Sequence, residues 1–288
     1  MKEVAIITDS VATLPPEIAE KYGISVVLSH VIMDGKDYIE TEIDKEQLFA
    51  RLRTKENLPT TAAASPGEVF ESFRRASQQA KAILFISLTS GLSAIYSSAT
   101  DAKKLAQEQL PDTTIEVVDS LTVASAEALI VIEAAKAANE GRSLPEVTEI
   151  ANKMRQRVSH FALRESLFHF DRSGRIGTAK DWVKAAIPTA TVLEIDAASG
   201  GVSKPVLRER SLTKAVEATL NLVEERSQGG RLHAVISHTN VPDKAEGLKK
   251  KLLSRFNLAE EVYIGECLPF VATVNGEGMI DIGFFTED

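Results

Sequence analysis

The chain has 288 residues, 44% hydrophobic and 26% charged, ordinary values for a globular protein large enough to bury a sizeable core. A formal net charge of −8 with no compensating basic block argues against a nucleic-acid partner. No apolar run approaches the roughly 18 residues of a membrane span, no signal-peptide pattern follows Met1, and the single Cys267 excludes an internal disulfide framework, so a cytoplasmic protein without stable membrane insertion is expected.

In chain order, Val4 to Ile7 predicts a short buried strand ending at Thr8-Asp9-Ser10, and Leu14-Pro15-Pro16-Glu17 predicts a helix start. Ile24 to Leu28 is the next strand. Asp34-Gly35 predicts a tight hairpin turn, because both residues accept positive φ at low cost. Asp44 caps a helix with Leu48, Phe49 and Leu52 on one face. Leu58 to Glu68 reads as an extended loop, closed by Ser65-Pro66 with Glu68 as the start of a helix through Phe73. Ala82 to Ile86 is a buried strand, and Thr89-Ser90-Gly91-Leu92-Ser93 leads from it into a helix reaching about Gln109. Thr114 to Val118 forms a strand ending in Asp119-Ser120, and a helix from about Thr122 to Glu140 closes at Gly141. Four strand–helix alternations predict a parallel α/β sheet.

Past residue 145 the pattern changes. Leu144 to Val158 is a helix that bridges two domains, and a helix around Lys180 to Ala186 stops before Pro188. Thr191 to Ile195 and Val202 to Leu207 flank a glycine turn as an antiparallel hairpin. Helices at Thr213–Glu225 and Pro242–Leu253, with strands at Leu232–Ser237 and near Val262 and Ile280, complete an α+β unit. The expected division is an α/β domain over 1–158 and an α+β domain over 159–288.

Ligands of parallel α/β sheets sit beyond the carboxyl ends of the strands. Three such ends here are rich in hydroxyls: Thr8-Asp9-Ser10, Thr89-Ser90-Gly91-Leu92-Ser93 and Asp119-Ser120. Free N–H groups and hydroxyls at a helix start suit a carboxylate or a phosphate, although Ser93 also reads simply as an N-cap. Gly91-Leu92-Ser93-Ala94-Ile95 starts like the nucleophile elbow of a serine hydrolase, with Ile95 where the second glycine belongs. The five histidines are scattered, which argues against a zinc site, and no phosphate-binding glycine loop is present. Arg172 and Arg175 flank Gly174 and suit either solvent or a partner's acidic surface.

Laid end to end, these stretches resemble the DegV family of bacterial fatty-acid-binding proteins, the lipid-carrying subunits of a fatty acid kinase. The resemblance is carried by Ile6-Ile7-Thr8-Asp9-Ser10, by Pro59-Thr60-Thr61 with Ser65-Pro66-Gly67, by Leu88 to Ser93 with Tyr96, Ser98 and Ala99, by Val118-Asp119-Ser120, and by Ser173-Gly174-Arg175-Ile176-Gly177. It implies a parallel-sheet domain followed by one with a mostly antiparallel sheet, a long-chain fatty acid between them, and no cofactor. It further implies that Thr61 and Ser93 hold the carboxylate; on that reading Thr8, Ser10, Ser90 and Ser120 are expected to stand behind them, and Arg172 and Arg175 are candidates for the kinase-facing surface. The carrier would catalyse nothing itself; the kinase phosphorylates the carboxyl group from ATP.

The chain departs from the family pattern at several places. Ala62 and Ala63 stand where serine and glutamine are usual, Ala94 stands for glycine, and Ser173-Gly174 for a double glycine. The family's His-x-Gly-Pro-Gly reads Val274-Asn275-Gly276-Glu277-Gly278, so the headgroup histidine is missing and an acid replaces proline. A hydrolase acting through Ser93, or a carrier of another amphipathic or anionic molecule, is the alternative.

Overall fold

In the computed structural model, which describes residues 1–183 and 189–287, the first apolar run forms strand β1 (Lys2–Asp9). Helix α1 (Pro16–Tyr22) leads to β2 (Ser25–Val27), which pairs parallel to β1. The hairpin of β3 (His30–Met33) and β4 (Lys36–Ile39) turns through Asp34 and Gly35 at φ 54° and 76°. Helix α2 (Lys45–Thr54) starts on Asp44, whose carboxylate accepts the Gln47 N–H at 3.0 Å. The stretch expected as loop over 58–68 holds a strand instead: β5 (Thr60–Ala62) lies antiparallel to β3, with Thr61 opposite Val31. Three residues are too few to display an alternation, so only the waiting edge of β3 reveals this strand.

Helix α3 (Pro66–Ser77) opens on the Ser65/Glu68 capping box, as the spacing requires. Then come β6 (Ala80–Ser87), α4 (Ile95–Gln109), β7 (Thr114–Asp119), α5 (Ala124–Asn139) and α6 (Leu144–Arg157). The second half contributes β8 (Ser159–Arg164), α7 (Phe168–Arg172), α8 (Lys180–Val183), β9 (Ala190–Glu194) and β10 (Lys204–Glu209). The continuation of a helix through Ala186 and its stop at Pro188 lie outside the described residues. Helix α9 (Leu212–Ser227), β11 (Leu232–His238), α10 (Pro242–Arg255), β12 (Tyr263–Glu266), α11 (Pro269–Asn275) and β13 (Ile280–Thr286) complete the described chain.

The strands among the described residues assemble into three sheets. One is all-parallel, in the order β2-β1-β6-β7, and one is the small antiparallel β4-β3-β5. The third runs β10-β9-β8-β13-β11-β12 and is antiparallel except where β11 meets β12. The fold class is therefore α/β, a parallel sheet joined to a mostly antiparallel one. No helix among the described residues is long and apolar enough to cross a membrane.

Helix α5 ties the two large sheets together. It packs on β1 on one side and on β11 and β13 on the other, and nearly every residue along it is buried. A helix can approach two sheets at once only if its side chains are small, and Ala126, Ala128, Ala134 and Ala135 meet that need. On β13, Gly283 completes the approach: a Cβ there would lie 2.3 Å from the Ala126 nitrogen. The helix itself carries a buried acid into this interface. Glu127 is fully buried, accepts the Thr8 hydroxyl at 3.2 Å, and is held well above the usual carboxyl range by burial and then by the Asp9 charge.

Two predictions follow from α5. Gly283→Ala must push the helix backbone off β13 and should cost about 3 kcal/mol by denaturant unfolding; a cost below about 1 kcal/mol would show that the contact yields easily. A carboxyl whose folded-state pKa lies above its unfolded value adds stability that is complete in acid and is lost as pH rises through the folded value. Glu127→Gln should therefore raise the unfolding midpoint at pH about 8, the gain shrinking towards pH about 4. A pH-independent difference between variant and wild type would contradict this.

Candidate functional site

The carboxyl ends of β1, β6 and β7 meet the second-half sheet around one cavity. It spans about 490 Å³, part of it open to solvent. Leu88, Leu92 and Val123 supply apolar wall from the first half; Phe270, Val274 and Met279 supply it from the second. The site thus lies where parallel strands leave a crevice beyond their ends.

Aspartates staple the strand-end loops. Asp9 accepts the N–H groups of Val11 at 3.0 Å and Leu88 at 2.8 Å, and Asp119 those of Ser90 at 3.2 Å and Leu121 at 2.9 Å. The Thr89 N–H goes to the Thr122 carbonyl, and those of Gly91 and Leu92 turn back to Thr89. The expectation of a run of free N–H groups is corrected accordingly: residues 88 to 92 spend theirs inside the loop, because neighbouring strand ends lie within reach of each aspartate. Among the described residues, the N–H groups of Ser93 and Ala94 remain without a partner at the start of α4. The Ser93 hydroxyl accepts the Ile95 N–H at 3.3 Å, while Ala94 occupies the N-cap position.

Burial pushes the Asp9 carboxyl up to about 7, although its two backbone donors oppose the shift. Thr8, Ser10 and Ser120 are buried, Thr8 against Glu127, Ser10 beside Glu40, and Ser120 turned back on Thr122. Ser90 is exposed. Thr61 is half-buried on β5, and its hydroxyl makes no hydrogen bond within the described residues. Neither Thr61 nor Ser93 is part of the cavity wall, but Leu92, the neighbour of Ser93, is.

One short turn reaches both the loop ahead of Thr61 and the loop ahead of Ser93. Arg172 donates to the Pro59 carbonyl at 3.0 Å and the Leu58 carbonyl at 2.9 Å, just ahead of Thr61. Arg175 lines the cavity and donates to the Leu92 carbonyl at 2.9 Å, just ahead of Ser93. Two further contacts cross between the halves: the Thr89 hydroxyl donates to the Gly201 carbonyl at 2.8 Å and the Thr122 hydroxyl to the Ile195 carbonyl at 2.6 Å. The sequence reading singled out neither role, since the partners lie far apart along the chain.

The departures from the family pattern take definite positions. Val274 is buried and becomes cavity wall. Glu277 turns to Arg53, which grips it at 2.7 and 2.6 Å, and to the Asn240 amide at 2.7 Å. The Arg53 guanidinium holds its carboxyl below the usual range, so Glu277 is a paired ion. His169 lies over Gly276, where a Cβ would meet the ring at 2.4 Å. Polar groups the sequence reading missed also face the cavity: His160, Arg164, Asn275 and Asp281. The alternation of His160, Ala162 and Arg164 along one strand was the available signal.

The chain has known relatives. It is 29% identical over 285 residues to a DegV domain-containing protein of Clostridium perfringens, covering 99% of each chain. With a DegV domain-containing protein of Streptococcus pyogenes it shares 30% identity over 259 residues, 88% of each. Among solved structures, a DegV family protein from Thermus thermophilus, described by its fatty acid binding, superposes with a TM-score of 0.89 at 24% identity over the full length of both chains. DegV of Bacillus subtilis, described as a fatty acid binding protein, gives 0.86 at 23% identity, again over both full chains. A DegV family protein of Eubacterium eligens loaded with heptadecanoic acid gives 0.84 at 17%, covering 99% of this chain and 100% of the other. At these identities the structures attest a shared fold. The family model described as "Uncharacterised protein, DegV family" matches residues 3–287, and the chain belongs to the DegV family.

Proposed function

We propose that the protein binds a long-chain fatty acid between its two halves, 1–158 and 159–288, and presents the carboxylate to a separate fatty acid kinase in the cytoplasm. The observation that carries this reading is the largely apolar cavity at the carboxyl edge of the parallel sheet, with the α4 N-terminus beside it. The fatty-acid-binding relatives of the same fold support it. An acyl chain of about sixteen carbons gains about 0.8 kcal/mol per buried CH₂, so the tail supplies affinity while a few polar groups fix the head.

In this reading the carboxylate is held by the hydroxyls of Thr61 and Ser93, with the free N–H groups of Ser93 and Ala94 and the positive end of the α4 dipole adding to the site. Thr8, Ser10, Ser90 and Ser120 act behind them by keeping the strand-end loops in shape. The ion pair of Glu277 with Arg53 removes the acid as a source of repulsion. Arg172, exposed on the turn that braces both loops, and Arg175 behind it mark the kinase-facing side. Catalysis and the ATP site belong to the kinase, and no cofactor is needed here.

Native mass spectrometry of the purified protein should find an added mass in the fatty-acid range, and delipidated protein should rebind palmitic acid. Ser93→Ala and Thr61→Ala should each weaken binding by about 10- to 100-fold, the loss of one hydrogen bond to a charged group. Unchanged affinity in both variants would remove these hydroxyls from the site, and covalent labelling of Ser93 by a fluorophosphonate would favour a hydrolase instead. Mixing loaded protein with a fatty acid kinase and ATP should yield an acyl phosphate trappable by hydroxylamine; no product would refute the presentation step.

A further inference from the structure

The cavity wall carries polar groups that the proposed headgroup site does not use. His160, Ala162 and Arg164 face inward at alternate positions of β8. Arg164 is only 4% exposed. Its Nε and Nη2 donate to the Asn275 Oδ1 at 3.0 and 2.5 Å, and its guanidinium lies 4.3 Å from the centre of the Phe170 ring. Among the described residues, the third donor nitrogen, Nη1, is buried without a partner. His160 is 1% exposed and, among the described residues, leaves both ring nitrogens without a hydrogen bond, its Nε2 3.8 Å from Asp281 Oδ1. Asp281 in turn accepts the hydroxyls of Ser125 and Ser237.

A wall that served an alkyl tail alone would be better built from leucine, because a buried cationic donor without an acceptor is costly. Burial brings Arg164 down to about 10 and His160 down to about 4, so near neutral pH the guanidinium is charged and the imidazole is not. We propose that Arg164 Nη1 donates to an uncharged oxygen carried partway along the acyl chain, so that the preferred ligand is a hydroxy or keto fatty acid. This deepens the fatty-acid reading above and rests on it. The charge balance decides the type of oxygen: Asp281 on the same wall already offsets Arg164 and would repel a second carboxylate. Neutral His160 on the same wall offers one donor and one acceptor nitrogen.

The test is displacement of a fluorescent fatty acid from delipidated full-length protein by stearic acid, by hydroxystearic acids with the hydroxyl at successive positions, and by octadecanedioic acid. Wild type should bind one hydroxyl isomer at least about tenfold more tightly than stearic acid, and in Arg164→Leu and Arg164→Met the ratio of the two affinities should fall to about one. The wild-type series decides the matter even if the variants fold poorly. Equal affinity for stearic acid and every hydroxyl isomer would overturn the inference, as would a preference for the diacid. Loss of stearic acid binding in folded Arg164→Met would overturn it too, by making Arg164 the carboxylate anchor. Failure of wild type to bind any of these acids would overturn the fatty-acid reading and this inference with it.

Discussion

Everything that meets at the cavity depends on how closely α5 fits between two sheets. The helix presents alanines to both sides, and the missing side chain at Gly283 lets its backbone touch β13. Because the approach is so close, the first turn of α5 reaches the cavity itself: Ala124 lines it, and Ser125 donates to Asp281 in its wall. Ala124 also sits at φ 50°, a backbone state that costs an L-residue energy and persists where surrounding contacts enforce it. The position of the cavity floor is thus a consequence of small residues in the helix, and the buried Glu127 is part of the same interface.

The strand-end hydroxyls and aspartates divide their labour in a way that follows from geometry. Parallel strands lie about 4.8 Å apart, so an aspartate closing one strand can accept N–H groups from the loop of the next. Asp9 and Asp119 do this for the loop after β6, which fixes its path before α4 begins. Thr89 and Thr122, whose loops are already set, are left to reach across to Gly201 and Ile195. Polar residues at this edge therefore serve the joint between the halves as much as any ligand. Arg172 and Arg175 complete the joint from the other side, each spending its guanidinium on backbone carbonyls.

The cavity combines an apolar lining with a polar wall. Val274 adds to the lining, whereas its neighbour Asn275 accepts two donors from Arg164 and returns its amide to the Val271 carbonyl. The turn after α11 then carries Glu277 away to Arg53 and Asn240. Val274, Asn275 and Glu277 so serve three ends: contact with the cavity, support of a buried cation, and an ion pair outside.

Much of the fold was legible because it is written in local chemistry. The Asp34-Gly35 turn, the Asp44 cap, the Ser65/Glu68 box and the strand–helix alternation each depend on residues within a few positions of one another, so the sequence alone determined them. The family and its two-sheet architecture were legible from motif order. What sequence could not decide were pairings whose partners are distant: β5, too short to show a period and defined by the β3 edge; the use of N–H groups 88 to 92 by Asp9, Asp119, Thr122 and Thr89; and the Thr89–Gly201 contact across 112 positions. Nor could it reveal that Arg164 is buried and Glu277 paired, since burial of a charge depends on which elements close over it. Only the tertiary structure, by setting two sheets against one alanine-rich helix, decided which polar residues face the cavity and which hold it shut.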